Sequence, residues 1–293
     1  MKLENIKVIS VLGAGTMGSG IAQIAAQQGY PVFLRDISQQ QVDTGLERMR
    51  NSLQKAVQKG LMAESDAKLA MSLVTGTADL KKAVQSADFI IEAIPEKLVL
   101  KRELFRELDG FCQQEAILAT NTSTISITEL ASLTQKPQRF IGMHFMNPVS
   151  QMKLVEIVTG LLTSDETIEV TRQLALKLGK EPIIISDSPG FATSRLGIAL
   201  FIEASRMLEE GIASVADIDK AMRLGYGHRM GPFETCDLVG LDARLNNINA
   251  LYESTYDLMW RPPRLLKKLV MAGYWGKKPG SKGGYYTYFG LDG

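Results

Sequence analysis

His144 and Glu156 are the side chains best suited to moving a proton. The sequence holds only two histidines, so few residues can carry a proton near neutral pH. His144 closes the apolar run Phe140–Met143 and is followed by Phe145-Met146-Asn147-Pro148. If that run is a strand of an open α/β sheet, a polar residue at its carboxyl end faces the ligand crevice. That placement favours a catalytic histidine over one hydrogen-bonded in a core. Glu156 lies twelve residues further on, inside the apolar run Leu154–Val158. A buried carboxylate needs a partner. Two readings stay open: a strand glutamate facing solvent at an edge, or one accepting the second ring N–H of His144. The second would set the tautomer, orient the ring and strengthen it as a general base. Asn121-Thr122-Ser123 follows the run Ala116–Ala119, again at a strand end, although a turn or helix cap explains those residue types equally well. His228 sits in the turn-rich stretch 225–232 and reads as a loop residue. Tyr274 and Lys278 have the Tyr-x-x-x-Lys spacing of short-chain dehydrogenases, but lie far from the other candidates and read as coincidence.

The elements that position these groups begin at the N-terminus. Ile6–Leu12 is an apolar, β-branched run, and Gly13-Ala14-Gly15-Thr16-Met17-Gly18 follows at once. Ser19–Gln28 has helical spacing; Val32-Phe33-Leu34 is a second apolar run, ending in Arg35-Asp36. Strand, glycine turn, helix, strand, acid is the order of a dinucleotide-binding unit. Gly13 permits the sharp turn, Gly15 lets a pyrophosphate approach the backbone, and Gly18 lets helix and sheet pack closely. N–H groups at the helix start favour the phosphates. Asp36 would accept the ribose hydroxyls and repel a 2′-phosphate, and Ile37 offers no cation, so NAD is favoured over NADP. Arg35 is the one neighbouring residue that could favour a 2′-phosphate.

Further apolar runs recur at 89–91, 117–119 and 182–186, with helical stretches such as 43–59 and 99–111 between several of them. This alternation predicts a mostly parallel sheet with helices on both faces. Less helix separates the last strands, so the far edge is expected to be mixed. After Ser188-Pro189-Gly190 the pattern becomes helical: Leu200, Phe201, Ala204, Met207 and Leu208 share a face. Ser214–Asp217 reads as a capping box, a further helix is expected over about 242–259, and a strand only in the tail 285–289. The expected domains are 1–187 and 188–293.

With 293 residues, 45% apolar and 22% charged, the chain is long enough for two domains with sizeable cores. A net charge of +1 gives no sign of a nucleic-acid partner. The two cysteines, Cys112 and Cys236, have no ligand spacing and read as reduced thiols of a cytoplasmic protein. No metal cluster is visible. No apolar run reaches the roughly 20 residues that span a bilayer, and the N-terminus does not read as a signal peptide.

Together these segments resemble the 3-hydroxyacyl-CoA dehydrogenase family, of the bacterial 3-hydroxybutyryl-CoA type. The resemblance is carried by GAGTMGSGIAQ (13–23), IIEAIPE (90–96), ATNTSTISI (119–127), RFIGMHFMNPV (139–149), MKLVEIV (152–158), DSPGF (187–191) and MGPFETCDLVGLD (230–242). It implies an α/β Rossmann-type N-terminal domain with a mostly parallel sheet, a smaller all-α C-terminal domain, and a homodimer. His144 is implied as general base, Glu156 as its partner, and Ser123 as the hydrogen-bond donor to the substrate oxygen. Gly13, Gly15, Met17, Gly18, Asp36, Glu96, Lys101, Ser123, Asn147 and Lys278 are implied at the NAD site. Ser52, Lys59, Ser123 and Asn147 are implied at the acyl-CoA site. One position departs: the family's Gly-Phe-x-x-Asn-Arg reads Gly190-Phe191-Ala192-Thr193-Ser194-Arg195 here, so Ser194 stands where an asparagine completes the catalytic set. The implied reaction is reversible, NAD-dependent oxidation of a short-chain (S)-3-hydroxyacyl-CoA to the 3-oxoacyl-CoA. The alternatives are a related dehydrogenase of a free hydroxy acid or sugar acid, or an NAD-binding protein without turnover.

Overall fold

The computed structural model describes residues 1–291. The chain divides into two compact units, Met1–Ser188 and Pro189 onwards.

The first unit is built on strands β1 (Ile9–Leu12), β2 (Val32–Arg35), β3 (Val74–Thr77), β4 (Phe89–Glu92), β5 (Ile117–Thr120), β6 (Phe140–Phe145), β7 (Leu154–Thr159) and β8 (Glu181–Ser186). They form one sheet in the order β3-β2-β1-β4-β5-β6-β7-β8. Pairing is parallel from β3 across to β6, antiparallel between β6 and β7, and parallel again between β7 and β8. The mixed far edge is therefore as expected. β1, β4 and β5 are buried along their whole length. That is why their sequences read as continuous rather than alternating apolar runs.

Helices α1 (Thr16–Gln27), α2 (Gln39–Gln58), α3 (Glu64–Ser72), α4 (Leu80–Val84), α5 (Leu98–Leu108), α6 (Ile127–Ala131) and α7 (Asp165–Lys177) complete this unit. α1 starts three residues before the expected Ser19, because Gly15 already serves as its N-cap. α2 is capped by the Ser38 hydroxyl and buries Val42, Gly45, Met49 and Leu53, one stripe at helical spacing. Strand order reverses between β1 and β4, which places a crevice at their carboxyl ends.

The second unit is helical: α8 (Thr193–Glu209), α9 (Val215–Tyr226), α10 (Pro232–Val239), α11 (Leu241–Thr255), α12 (Arg264–Met271) and α13 (Tyr285–Tyr288). Its core includes Phe201, Phe233 and Tyr285, with ring centroids 4.8–5.9 Å apart. Two expectations need correction here. The helix predicted to reach Met259 ends at Thr255, where Tyr256 adopts φ 53° and breaks the repeat. The aromatic tail predicted as a strand is helix α13. Buried Asp237 accepts the backbone N–H of Tyr285 at 2.7 Å and of Tyr286 at 3.0 Å, the orphan donors of a helix start. That capping overrides the β propensity of the aromatic run.

Candidate active site

The β1–α1 turn is built to take a phosphate against bare backbone. Gly13 has φ +109°, and a Cβ there would lie 2.4 Å from the Ala93 carbonyl oxygen. A Cβ on Gly18 would meet the Gly13 carbonyl oxygen at 1.7 Å, so the helix sits directly on the turn. Gly15 differs: nothing lies within 4 Å of its would-be Cβ. Its missing side chain leaves open space above the first N–H groups of α1, and no side chain caps them. The Asp36 carboxylate accepts the N–H of Ala14 and of Ile37, both at 2.7 Å, which ties it to the turn. Arg35 donates through Nε to the Ala78 carbonyl at 3.3 Å and lines the same cavity as Asp36. Gly13, Gly15, Met17 and Asp36 line a cavity of about 650 Å³. These features fit the pyrophosphate and adenosine ribose of a dinucleotide.

The same turn supplies a clean test. Gly15→Ala is expected to leave the melting temperature unchanged, since the added methyl touches nothing, while weakening NADH binding at least tenfold by occupying the phosphate's approach. Fluorescence titration beside a thermal melt checks both halves.

Met17, Ala93 and Ile94 also border a second cavity, of about 340 Å³, whose wall includes Glu96, Ser123, His144 and Asn147. His144 and Glu156 are directly opposed in the antiparallel β6–β7 register. Directly opposed residues point to one face with Cβ atoms about 5 Å apart, so the twelve-residue spacing becomes a contact. Nδ1 of His144 lies 2.6 Å from Oε2 of Glu156. Glu156 is fully buried behind the ring, whereas His144 reaches the cavity wall. Of the two readings left open for Glu156, solvent-facing or paired, the paired one holds.

Ser123 sits on a turn gathered around one carboxylate oxygen. Oε1 of Glu96 accepts the N–H of Ser123 at 2.8 Å, the N–H of Thr124 at 3.1 Å, and the hydroxyls of Thr122, Ser123 and Thr124. Oε2 of Glu96 faces the Lys101 ammonium at 3.2 Å. Burial on its own would raise the Glu96 carboxyl, but the Lys101 charge and these hydrogen bonds outweigh it and hold it below the usual carboxylate range. Asn121, next to the turn, accepts the Phe145 N–H through Oδ1 at 2.9 Å, which joins β5 to the strand of His144.

Sequence reading passed over three residues here. Glu92, at the end of β4, is fully buried and 2.6 Å from Lys101 Nζ; a charge closing an apolar run was the available signal. Arg48 donates through Nη1 to the Ala14 carbonyl at 3.1 Å, bracing the glycine turn from α2. Lys180, buried beside β8, donates to the carbonyls of Val149 and Met152 and so holds the loop that carries Asn147.

Lys101 is buried at 1% exposure between two carboxylates. Ser52 lies on α2 and Lys59 at its C-cap, and neither lines the two cavities. Ser194 occupies the first turn of α8, and Lys278 pairs with Asp242 at 2.5 Å, both in the helical unit. Among the described residues no group of three or more metal-binding side chains occurs, and no helix is long and apolar enough to cross a membrane.

Comparison with known proteins covers nearly the whole chain. Residues 8–188 match the family described as "3-hydroxyacyl-CoA dehydrogenase, NAD binding domain", and residues 190–288 match "3-hydroxyacyl-CoA dehydrogenase, C-terminal domain". The probable 3-hydroxybutyryl-CoA dehydrogenase of Bacillus subtilis is 43% identical over 283 residues, 97% of this chain and 98% of that protein. The human mitochondrial hydroxyacyl-coenzyme A dehydrogenase is 39% identical over 97% of this chain and 91% of its own. The crystal structure of (S)-3-hydroxybutyryl-CoA dehydrogenase from Ralstonia eutropha superimposes with a TM-score of 0.93 at 40% identity, covering 96% of this chain and 99% of that one.

Proposed function

The chain belongs to the 3-hydroxyacyl-CoA dehydrogenase family, and from that premise we propose how its residues divide the work. The activity is NAD-dependent interconversion of 3-hydroxyacyl-CoA and 3-oxoacyl-CoA. NAD, when bound, supplies the hydride acceptor. His144 takes the proton from the substrate hydroxyl as hydride leaves C3. With Nδ1 donating to Glu156, Nε2 is the proton-accepting position of the ring. Glu156 keeps that tautomer and stabilises the imidazolium that forms. Ser123 turns its hydroxyl proton from Glu96 to the substrate oxygen as the charge there changes, and Asn147 borders the same cavity. The observation that carries this assignment is the 2.6 Å His144–Glu156 contact on a cavity shared with Ser123 and Asn147.

We assign a short acyl chain, supported by the 3-hydroxybutyryl-CoA dehydrogenases of Bacillus and Ralstonia that the chain resembles. Ser52 and Lys59 are assigned to the CoA moiety and Lys278 to the cofactor, on the family pattern alone. A homodimer and a cytoplasmic location complete the proposal.

A spectrophotometric assay tests it. Acetoacetyl-CoA is expected to be reduced by NADH, and free acetoacetate to be reduced at least 10²-fold less efficiently. The opposite preference would move the chain to free hydroxy acids. NADPH is expected to support under about 1% of the NADH rate, because a 2′-phosphate beside Asp36 places like charges together at a cost of several kcal/mol. Comparable rates with both cofactors would contradict the role of Asp36.

Ser123→Ala is expected to lower kcat roughly 10²-fold, the usual loss on removing a donor to a developing oxyanion. Ser194→Ala should cost less, since a short hydroxyl replaces the family's longer amide. An equal or larger loss at Ser194 would reverse that ranking.

A further inference from the structure

A buried charge without a counter-ion lies against the loop that joins β6 to β7. Residues 146–153 connect the strand of His144 to the strand of Glu156. Met146 and Asn147, at the start of this loop, line the cavity shared with His144 and Ser123. The chain then turns tightly, with the N–H groups of Gln151 and Met152 both donating to the Pro148 carbonyl at 3.0 Å. Lys180, immediately before β8, is 5% exposed and donates through Nζ to two carbonyls of that turn, those of Val149 and Met152, the second at 2.8 Å. Burial lowers its pKa with no negative charge opposing the shift, so among the described residues its partners are the two carbonyls and not a carboxylate. Val149 is itself buried and packs against α1, where a Cβ on Gly20 would lie 2.9 Å from Val149 Cβ. α1 and Lys180 therefore grip the loop at one residue, the first through its side chain and the second through its carbonyl. A methionine would fill the space of Lys180 without the cost of burying a charge. What the ammonium adds is donors for two carbonyls of a single turn.

We propose that Lys180 is a positioning residue for the reaction: by clamping the Val149 and Met152 carbonyls it fixes the 148–152 turn and so holds the Asn147 carboxamide at the cavity wall. That this wall meets the nicotinamide and the acyl substrate rests on the dehydrogenase reading above; the clamp itself does not. Rigid support of this kind keeps a contacting group within the fraction of an ångström that catalysis needs.

The test uses the full chain with Lys180→Met, alone and on an Asn147→Ala background. Alone, the change is expected to slow single-turnover hydride transfer about tenfold and to weaken NADH binding roughly threefold. ADP-ribose, which lacks the nicotinamide, is expected to bind within about twofold of its original affinity, because the glycine turn and Asp36 belong to β1, α1 and β2. On the Asn147→Ala background the same change is expected to alter hydride transfer less than about twofold, since the group it positions is already gone. Equal losses on both backgrounds would mean that Lys180 acts by a route other than Asn147. Equal weakening of NADH and ADP-ribose would mean a general loosening of the unit, and no loss at all would reduce Lys180 to packing. Each of these three results overturns the proposal. If Lys180→Met prevents folding, Lys180→Gln, which is neutral and keeps N–H donors on a shorter side chain, is compared on the two backgrounds in the same way. The contrast between NADH and ADP-ribose requires no acyl substrate, so a wrong substrate assignment and a failed clamp give different results.

Discussion

His144→Gln is expected to lower turnover by roughly 10²–10⁴-fold, the contribution of a positioned general base, while NADH still binds. Gln fills similar space and can hydrogen-bond, but it cannot take up and release a proton near neutral pH. No other side chain on the cavity wall is placed to substitute. Glu96 is committed to Lys101 and the 122–124 turn, and His228 is an exposed loop residue of the helical unit. Binding should survive because the glycine turn and Asp36 belong to β1, α1 and β2, whereas His144 belongs to β6. Steady-state kinetics with acetoacetyl-CoA, beside a fluorescence titration of NADH, separates the two effects. Turnover within threefold of the unaltered enzyme would remove His144 from the chemistry, and loss of NADH binding would make the defect one of folding or cofactor affinity.

Glu156→Gln is expected to cost about as much, of order 10²–10⁴-fold in kcat, although residue 156 is fully buried and does not line the cavity. An amide opposite Nδ1 at 2.6 Å can present its NH₂ group instead of an acceptor. The ring then turns to the tautomer that carries its proton on Nε2, where the base is required. The imidazolium also loses its counter-charge. Because Gln is neutral, the variant places no unpaired charge in the core, and its far-UV circular dichroism should match that of the parent protein. A kcat loss under fivefold in the folded variant would show that the carboxylate contributes little to the base.

Much of this site was legible in the sequence because backbone chemistry exposes it there. The glycines at 13, 15 and 18 stand out from their apolar flanks, and Asp36 closes a short strand at the expected distance. His144 was legible because strand ends in an open sheet face the crevice. The pairing with Glu156 was legible only through the family resemblance, since twelve residues of separation do not by themselves reveal that β6 and β7 run antiparallel with these two in register. The family pattern marks Lys101 at the cofactor site by its position and does not record its burial. Only coordinates show Glu92 facing it from the neighbouring strand end. β3 was missed for another reason. Val74–Thr77 is an edge strand of mixed exposure, and Gly76 is required where α2 packs closely, 2.5 Å from Val42 Cγ1 to a would-be Cβ. Such a strand lacks the apolar run that marked its neighbours. In the tail 285–289, aromatic β propensity was the visible signal, while the deciding partner, Asp237, lies 48 residues away in sequence.

The claim on which the mechanism depends is that His144 and Glu156 act as one unit. It is tested most directly by single-turnover oxidation of (S)-3-hydroxybutyryl-CoA with saturating NAD, comparing His144→Gln, Glu156→Gln and the double variant. If Glu156 works only through the imidazole, removing it after His144 is gone should cost no more than about threefold. Losses that multiply across the two positions would mean that the carboxylate acts independently of the ring, contrary to the mechanism proposed.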